Sequence, residues 1–203
     1  RQNFSQVTNP PIDSLRENKV MSLKTRFGNL GNILDFNNLT KENIYVLDSP
    51  ILSNSQFLKF NNFFKKKIKH IDCTFKNDEN LESVLERIRK DAEIAVRQGL
   101  TQIILSDKNI SDERLPVPML LAVGAINTYL IKHKLRGYVS INVQSGEAMD
   151  THSFATLIGV GATTVNPYLA VDGLYQRFEK KLFGKFEFED CVSRYIKSCL
   201  LYT

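Results

Sequence analysis

Residues 81–105 read LESVLERIRKDAEIAVRQGLTQIIL, and this stretch decides the fold of the chain. Its first half predicts an amphipathic helix, because apolar residues recur at helical spacing and charged residues fill the opposite face. The apolar residues are Leu81, Val84, Leu85, Ile88, Ala92 and Ala95. Asp78 or Asn80 is suited to cap the start of the helix, and Gly99 to end it. Residues 102–105 form a short apolar run typical of a buried strand, so a helix leads directly into a strand.

The same alternation of strand and helix extends to both sides of this stretch. Further strands are predicted at residues 44–47, 68–75, 139–143 and 164–165. Further helices are predicted at residues 53–66, 118–133 and 151–158, and from residue 170 onward with a break at Gly184. Such alternation implies parallel strands joined by right-handed crossovers. We therefore expect an α/β fold, either an open sheet or a partial (β/α) barrel, in which the helix over residues 118–133 is buried because it is apolar nearly all round.

We expect residues 1–203 to be part of a single α/β domain with three regions. These are an extended N-terminal connector and loop over residues 1–40, an alternating core over residues 41–175 and a C-terminal helical segment over residues 176–203. In the connector, Pro10 and Pro11 fix φ and keep the residues before them extended. A capping-box pattern at Ser14 and Glu17 then predicts a short helix to about residue 23, with a loop after it.

The chain carries a formal net charge of +5 at pH 7, a balance that raises the question of a polyanionic partner. The densest basic run, residues 65–67 with Lys69, is interpreted as a solvated helix end, because cations favour a helix C-terminus. No aromatic residues interleave with basic ones as in nucleic-acid-binding motifs. The longest apolar run, residues 117–126, is about half of the roughly 20 residues that span a bilayer. We therefore expect neither a nucleic-acid nor a membrane partner.

Metal and nucleotide chemistry is not indicated by the sequence. The three cysteines, Cys73, Cys191 and Cys199, show no CxxC spacing and are too few for an iron–sulfur cluster or a closed zinc site. Their odd, sparse count is typical of a reducing compartment, in the cytoplasm or an organelle. The three histidines are widely separated, and no GxGxxG or GxxxxGK[ST] motif is present. The chain opens on Arg1 without an initiator Met, as a segment of a longer polypeptide does.

Polar residues follow several predicted strands, where parallel α/β sheets bind ligands. The candidates are Asp107, Glu147 and Asn166. Glu147 is the best candidate for a general base, with His152 one helix start away. However, polar residues at strand ends commonly cap the next helix or bind loop amides. The residues alone therefore predict a parallel α/β domain without a catalytic centre, a cofactor site or a metal site of its own.

Several ordered motifs resemble the central domain of glutamate synthase large subunits. They include FSQVTNPPID at residues 4–13, LDSPIL at 47–52, SGEA at 145–148 and VNPYLA at 165–170. The resemblance covers residues 4 to about 175 in order. It departs from the family pattern at Ser14, where a proline is usual, and at Lys108, where arginine is frequent.

The resemblance implies a role inside a larger enzyme that makes glutamate from glutamine and 2-oxoglutarate. In that family an amidotransferase domain releases ammonia from glutamine, and an FMN and iron–sulfur barrel reduces the resulting imine. The central domain joins these two domains, with a small reductase subunit or domain as a further possible partner. This segment would then bind no cofactor itself. It would form a scaffold that takes part in an intramolecular ammonia passage.

The connector segment Thr8, Asn9, Pro10, Pro11 and Ile12 is the candidate for that passage. Its prolines limit flexibility, and the side chains of Thr8 and Asn9 can hydrogen-bond a small polar solute. The alternative is that this segment is only a stiff strap between domains, since proline-rich connectors are commonly spacers. Two further functions stay open: a stand-alone flavin-binding barrel enzyme, which would be yellow, and a basic interaction module, which would bind RNA or heparin in a salt-dependent way.

Overall fold

The computed structural model describes residues 22–28, 34 and 44–200. The chain divides between Ser49 and Pro50 into two compact units. In the first unit, the described strands are β1 (Thr25–Phe27) and β2 (Tyr45–Leu47), which pair antiparallel with Thr25 opposite Leu47. The inward side chains of Phe27 and Leu47 are buried. The strand predicted at residues 44–47 is present as β2, but the expectation that it belongs to the parallel series was wrong, because it pairs antiparallel with β1. Three residues carry too little periodicity to identify their partner.

The second unit is built on four parallel strands with helices between them. The strands are β3 (Ile68–Asp72), β5 (Gln102–Ser106), β7 (Ser140–Gln144) and β8 (Thr164–Asn166), in the spatial order β3-β5-β7-β8. Chain order equals spatial order, as expected for right-handed crossovers that all move in one direction. The described strands form an open sheet and not a closed barrel. The predicted α/β class is therefore confirmed.

Six α-helices lie in the described part of this unit. They are α1 (Asn54–Phe63), α2 (Leu81–Arg97), α3 (Met119–Lys132), α4 (Thr151–Gly159), α5 (Tyr168–Glu179) and α6 (Phe188–Leu200), with a short 3-10 helix at Arg136–Tyr138. Asn80 caps α2, and Gly99, in the left-handed region with φ +81°, follows its end. Gly184 has φ +65° and lies between α5 and α6, so the predicted break is confirmed.

The main core lies between the sheet and a single helix layer. Helix α2 packs against α3, α3 against α4, and α4 against α6, while each of α2 to α4 also contacts a strand. One face of the sheet contributes apolar side chains to this core: Ile71, Ile103, Leu105, Ile141, Val143 and Val165. Strand residues alternate between faces, so the residues between these point to the other face.

The opposite face of the sheet carries a buried polar row. Asn142 donates from Nδ2 to Oε1 of Gln102 at 3.0 Å, and its Oδ1 accepts from the Thr164 hydroxyl at 2.7 Å. All three side chains are buried. Because buried polar groups are costly unless paired, this row ties β5, β7 and β8 into one register.

The segment that enters the second unit occupies the free edge of β8. Ile51 forms a parallel bridge with Val165. The Leu52 amide donates to the Val165 carbonyl, and the Val165 amide donates to the Pro50 carbonyl, both at 2.8 Å. The fifth place in the parallel sheet is therefore taken by one bridge at Ile51, and not by the predicted strand at residues 44–47.

A small antiparallel pair beside the sheet was not predicted from the sequence. Residues 68–75 were expected to form one strand, but that strand ends at Asp72. The Asp72 carboxylate accepts from both the amide and the hydroxyl of Thr74, at 2.9 and 2.7 Å, which turns the chain out of the sheet. Strand β4 (Thr74–Lys76) then pairs with β6 (Arg114–Pro116).

The predicted full burial of the helix over residues 118–133 was also wrong in part. In α3 the inner face is buried, with Ala122, Val123 and Ile126 in the core. Leu120, Leu121 and Ile131 are instead exposed, although the helix is apolar. Apolar composition alone does not reveal which face of a helix is left without a neighbour.

Candidate functional site at the carboxyl edge of the sheet

The carboxyl edge of the sheet is organised around the buried side chain of Asp107. Asp107 follows β5 directly and has no exposed surface. Its carboxylate accepts from the Ser145 hydroxyl at 2.9 Å and from the Gly146 amide at 2.9 Å, and it also hydrogen-bonds the Tyr168 hydroxyl. A buried carboxylate is tolerated when several donors surround it. Asp107 thus joins the segments that follow β5, β7 and β8.

Tyr168 is held in its protonated form at this edge. Burial raises the pKa of Tyr168 to about 12, and the nearby charge of Asp107 adds to this effect. The hydroxyl therefore remains a hydrogen-bond donor to Asp107 at physiological pH. No pattern in the sequence singles out Tyr168, because its role depends on a partner 61 positions earlier in the chain.

Gly146 allows the close approach of α5 to the turn after β7. A Cβ atom at this position would lie 2.6 Å from Cδ1 of Leu169 and 3.1 Å from the Tyr168 hydroxyl oxygen. Both distances are shorter than ordinary van der Waals contact. A Cβ atom at this position would therefore push the end of the Leu169 side chain aside, so glycine is the residue that fits without a shift.

Glu147 lies at the same edge and caps the N-terminus of helix α3. Its Oε2 accepts from the Met119 amide at 3.0 Å, at the start of α3, where Pro118 supplies no side-chain cap. A carboxylate at a helix N-terminus satisfies an amide and meets the positive end of the helix dipole. His152 is exposed in the first turn of α4, a helix that is capped by Asp150. The structure thus gives Glu147 a capping contact to α3.

Asn166 connects the end of β8 to the start of the second unit. Its Nδ2 donates to the Leu52 carbonyl at 3.0 Å and to Oδ1 of Asn54 at 2.9 Å. Its Oδ1 accepts from Nε2 of Gln144 at 3.4 Å. The side chain is buried, so its donors and its acceptor serve the fold.

The three predicted strand-end residues therefore lie along one edge but do not converge on one open site. Asp107 and Glu147 meet at the turn of residues 145–147, since Ser145 donates to Asp107 and accepts from the Glu147 amide at 3.1 Å. Asn166 lies along the edge with its own partners. The arrangement braces consecutive loops against one another, and we infer no reacting atoms from it.

A second brace surrounds Asp72 beside β3. Arg114 donates to the Asp72 carboxylate at 3.1 Å and to the Thr74 hydroxyl at 2.8 Å, and Asn109 donates to the same carboxylate. Arg87 donates to the carbonyls of Asp72 and Thr74. Burial alone would raise the pKa of Asp72, but the hydrogen bonds from Thr74 and Asn109 and the charge of Arg114 lower it overall. No local sequence pattern singles out these arginines, because their partners lie on different elements.

The amino edge of the sheet has a brace of its own at Arg136. Its guanidinium donates to Oδ1 of Asn127 at 2.7 Å, to the Val139 carbonyl at 2.6 Å and to the Gly161 carbonyl at 2.8 Å. Burial lowers the pKa of Arg136. Gly161 has φ +120°, and a Cβ atom there would lie 2.5 Å from the Asn127 side chain. The planar guanidinium group of Arg136 thus joins α3 to the segments before β7 and β8.

The cysteines do not form a ligand set in the described residues. Cys73, Cys191 and Cys199 are free and buried. Burial raises the pKa of Cys73 to about 12, which disfavours the thiolate that metals bind. Among residues 22–28, 34 and 44–200, no group of three or more His, Cys, Asp and Glu side chains could hold a metal ion. Within these same residues, no helix combines the length and apolarity that a membrane span requires.

The predicted passage segment, Thr8, Asn9, Pro10, Pro11 and Ile12, lies outside the described residues. The same holds for the capping box at Ser14 and Glu17. These expectations stay predictions.

The fold and its carboxyl edge together define an α/β domain with an open parallel sheet whose loops are braced internally. The chain belongs to the glutamate synthase central domain family, whose family model matches residues 1–200. It is 49% identical over 201 residues to the large chain of glutamate synthase [NADPH] from Azospirillum brasilense, covering 98% of this chain and 13% of that protein. It is 41% identical over 204 residues to the corresponding large chain from Bacillus subtilis, again covering 98% of this chain and 13% of the relative.

A chloroplastic relative extends this similarity to another kind of synthase. The ferredoxin-dependent glutamate synthase of Spinacia oleracea is 39% identical over 178 residues, which cover 85% of this chain and 11% of that protein. The chain thus spans only a small part of the length of the curated relatives that it matches. The resemblance found in the sequence motifs is confirmed.

Proposed function

We propose that this chain is the central scaffold of a glutamate synthase. In this role it connects a glutaminase site to an FMN-dependent synthase site and contributes to an intramolecular ammonia passage. The complete enzyme is an oxidoreductase that makes glutamate from glutamine and 2-oxoglutarate. The segment itself transforms no substrate, and the isolated segment is expected to be inactive.

The observation that supports this proposal is that the polar side chains at the carboxyl edge are hydrogen-bonded to other parts of the protein. Asp107 and Asn166 are buried with their polar atoms bound to protein partners, and the exposed Glu147 caps α3 through one carboxylate oxygen. Polar groups used in this way position loops and leave little capacity for substrate chemistry. A connector between two reaction centres needs such rigidity, because a small misplacement of a site reduces the rate steeply.

The cofactors and partners of the proposed enzyme lie outside this segment. FMN and an iron–sulfur cluster would be bound by the synthase domain, and the cysteine that attacks glutamine would belong to the amidotransferase domain of the same polypeptide. A reductase subunit or domain would supply electrons. The three free, buried cysteines of this segment suit a reducing compartment, whether cytoplasm or organelle.

The passage is assigned to the segment Thr8, Asn9, Pro10, Pro11 and Ile12. Thr8 and Asn9 carry side chains that can exchange hydrogen bonds with ammonia, and the prolines limit the conformations of the segment. A sheltered route keeps ammonia from bulk water and from protonation there.

The test is the ratio of glutamine hydrolysed to 2-oxoglutarate consumed by the full-length synthase carrying Thr8→Val or Asn9→Leu. We expect glutamine hydrolysis to exceed 2-oxoglutarate consumption in both variants, because released ammonia escapes before it reaches the synthase site. Asn77→Leu is the matched control, since Asn77 is exposed in the turn between β4 and α2. One-to-one coupling retained in both passage variants would defeat the passage assignment.

A further inference from the structure

The outer edge of β3 is the side of the parallel sheet that carries no neighbouring strand among the described residues. The spatial order is β3-β5-β7-β8, so β3 lies at one end of the sheet. The other end, at β8, is occupied by the segment that bridges through Ile51 to Val165. An edge strand presents backbone amides and carbonyls that can pair with another strand, so its outer side is a place where polypeptide can bind.

The pairing of β3 with β5 shows which backbone groups of β3 face outward. The Gln102 amide donates to the Lys67 carbonyl at 3.0 Å, and the Cys73 amide donates to the Ser106 carbonyl at 2.8 Å. In a parallel pair, alternate residues of a strand bond to the neighbouring strand, so the odd-numbered residues of this stretch face β5. The residues whose amides and carbonyls face outward are Ile68, His70 and Asp72.

The middle of this outer edge has no backbone partner in the part of the chain that the structure describes. The Asp72 carbonyl accepts from the Arg87 guanidinium at 3.2 Å, but no hydrogen bond engages the outward amide and carbonyl of Ile68 or of His70. The strand contains no proline, and its five residues pair with β5 in continuous register, so no bulge turns the edge away. The edge is therefore ready to accept a further strand.

The geometry of the edge favours a second copy of the chain as its occupant. Two β3 strands related by a two-fold axis run antiparallel, and each satisfies the outward groups of the other, so the pair leaves no open edge. An axis at His70 places Lys69 opposite Ile71 of the second copy, so no lysine lies directly opposite a lysine. Partial desolvation lowers the pKa of His70, so its ring is neutral at pH 7 and can lie opposite its symmetry mate.

The charges at the two ends of β3 are complementary under the same axis. Before the strand, residues 65–67 are three exposed lysines. After the strand and β4, residues 77–82 carry the exposed Asp78, Glu79 and Glu82 and contain no lysine or arginine. Antiparallel pairing directs the basic end of each strand toward the acidic end of the other, so charge favours this orientation over a parallel one.

We propose that two copies of this chain associate through antiparallel pairing of their β3 strands, which joins their two four-stranded sheets into one continuous sheet. This interface goes beyond the proposed function, since it requires neither the ammonia passage nor a contact between domains of one polypeptide. The occupant is a second copy because the open edge and both charged ends that complement it belong to this chain.

The experiment is site-specific photo-cross-linking in the full-length synthase. A benzophenone amino acid is placed at Lys69, and in a second variant at Lys66 in case the first fails to fold. A third variant carries it at Leu182, which is exposed between α5 and α6, as the control for random capture. Peptide mass spectrometry identifies the captured residue, and denaturing gels separate single chains from cross-linked dimers.

A backbone change at the centre of the edge tests the pairing itself. His70→Pro removes an outward amide and leaves the bonds to β5 in place, because proline is tolerated on an edge strand where its nitrogen faces solvent. His70→Thr is the matched control, since threonine keeps the amide and suits a strand. Both changes are combined with the probe at position 69.

We expect positions 69 and 66 to give a band at the mass of two chains, with the captured residue within residues 68–76 of the second copy. The dimer yield should exceed that of position 182 about fivefold, and His70→Pro, unlike His70→Thr, should lower it by about the same factor. Capture at the mass of one chain, capture elsewhere in a second copy, no product at either position, or a yield unchanged by His70→Pro would each overturn the proposal. The Thr8 and Asn9 variants are measured separately, so loss of either idea leaves the other tested.

Discussion

At each end of the parallel sheet a charged side chain joins the loops, and the two ends differ in how deeply that side chain is buried. At the carboxyl end, Asp107 accepts from donors on two segments, and apolar side chains lie above the turn. At the amino end, Arg136 donates to acceptors on three segments, and the residues that directly precede β3 include exposed lysines. A charged side chain joins loops at either end; Asp107 is fully buried, whereas Arg136 is half-buried. The comparison therefore separates what both ends share, a charged side chain that joins loops, from the depth at which that side chain is buried.

The largest expected effect is the loss of the carboxyl-end hub. Asp107→Ala leaves the Ser145 hydroxyl, the Gly146 amide and the Tyr168 hydroxyl without their acceptor in a buried site. We expect the free energy of unfolding to fall by about 3 kcal/mol or more, because each unsatisfied buried donor costs about 1–3 kcal/mol. Urea denaturation of the 203-residue chain measures it. Asp112→Ala, at an exposed position in the loop after the same strand, should change little.

A smaller loss is expected at the amino-end hub. Arg136→Ala removes three hydrogen bonds but leaves acceptors that water can reach more easily than a buried carboxylate site, so we expect a loss of about 2 kcal/mol. Arg136→Lys should recover only part of this, since an ammonium group lacks the planar fork. Arg177→Ala, on the exposed face of α5, is the control. If Arg136→Ala cost more than Asp107→Ala, the ranking of the two ends would be reversed.

The smallest effect is expected when a methyl group is added to the turn after β7, beneath Leu169. Gly146→Ala places a Cβ atom 2.6 Å from the end of the Leu169 side chain, which must shift. We expect a loss of about 1–2 kcal/mol, as for other overpacked sites. Gly137→Ala offers a matched control, because nothing lies within 4 Å of its added Cβ atom. Equal thermal stability of the two variants would show that Leu169 moves away freely and that α5 is not held tightly against this turn.

The regular parts of the fold followed from the sequence because their signals are local. The helical spacing of α2, its Asn80 cap and the glycines at 99 and 184 each act within a few residues. The pairing of β1 with β2 and of β4 with β6 did not follow, since three-residue strands have almost no periodicity and their partners lie 18 to 42 positions away. The exposure of Leu120 and Leu121 was missed for a related reason, because composition does not report which neighbours a helix has.

For the candidate site, the sequence indicated where along the sheet the polar residues lie, but it did not indicate which groups they bind. The rule that polar residues collect at the carboxyl ends of parallel strands singled out Asp107, Glu147 and Asn166. What each residue binds depends on tertiary structure: Tyr168 for Asp107, the Met119 amide for Glu147 and the Leu52 carbonyl for Asn166. The strand-end rule alone therefore does not distinguish a braced edge from a catalytic one.

The most direct test of the scaffold role is the ratio of glutamine hydrolysed to 2-oxoglutarate consumed by a full-length synthase that carries Asp107→Ala. If this segment holds two reaction centres in register, loosening its carboxyl edge should raise that ratio at least twofold over the unmodified enzyme, while glutaminase turnover persists. An unchanged ratio in a variant that is clearly destabilised would contradict the account, as would loss of all glutaminase activity together with the synthase reaction.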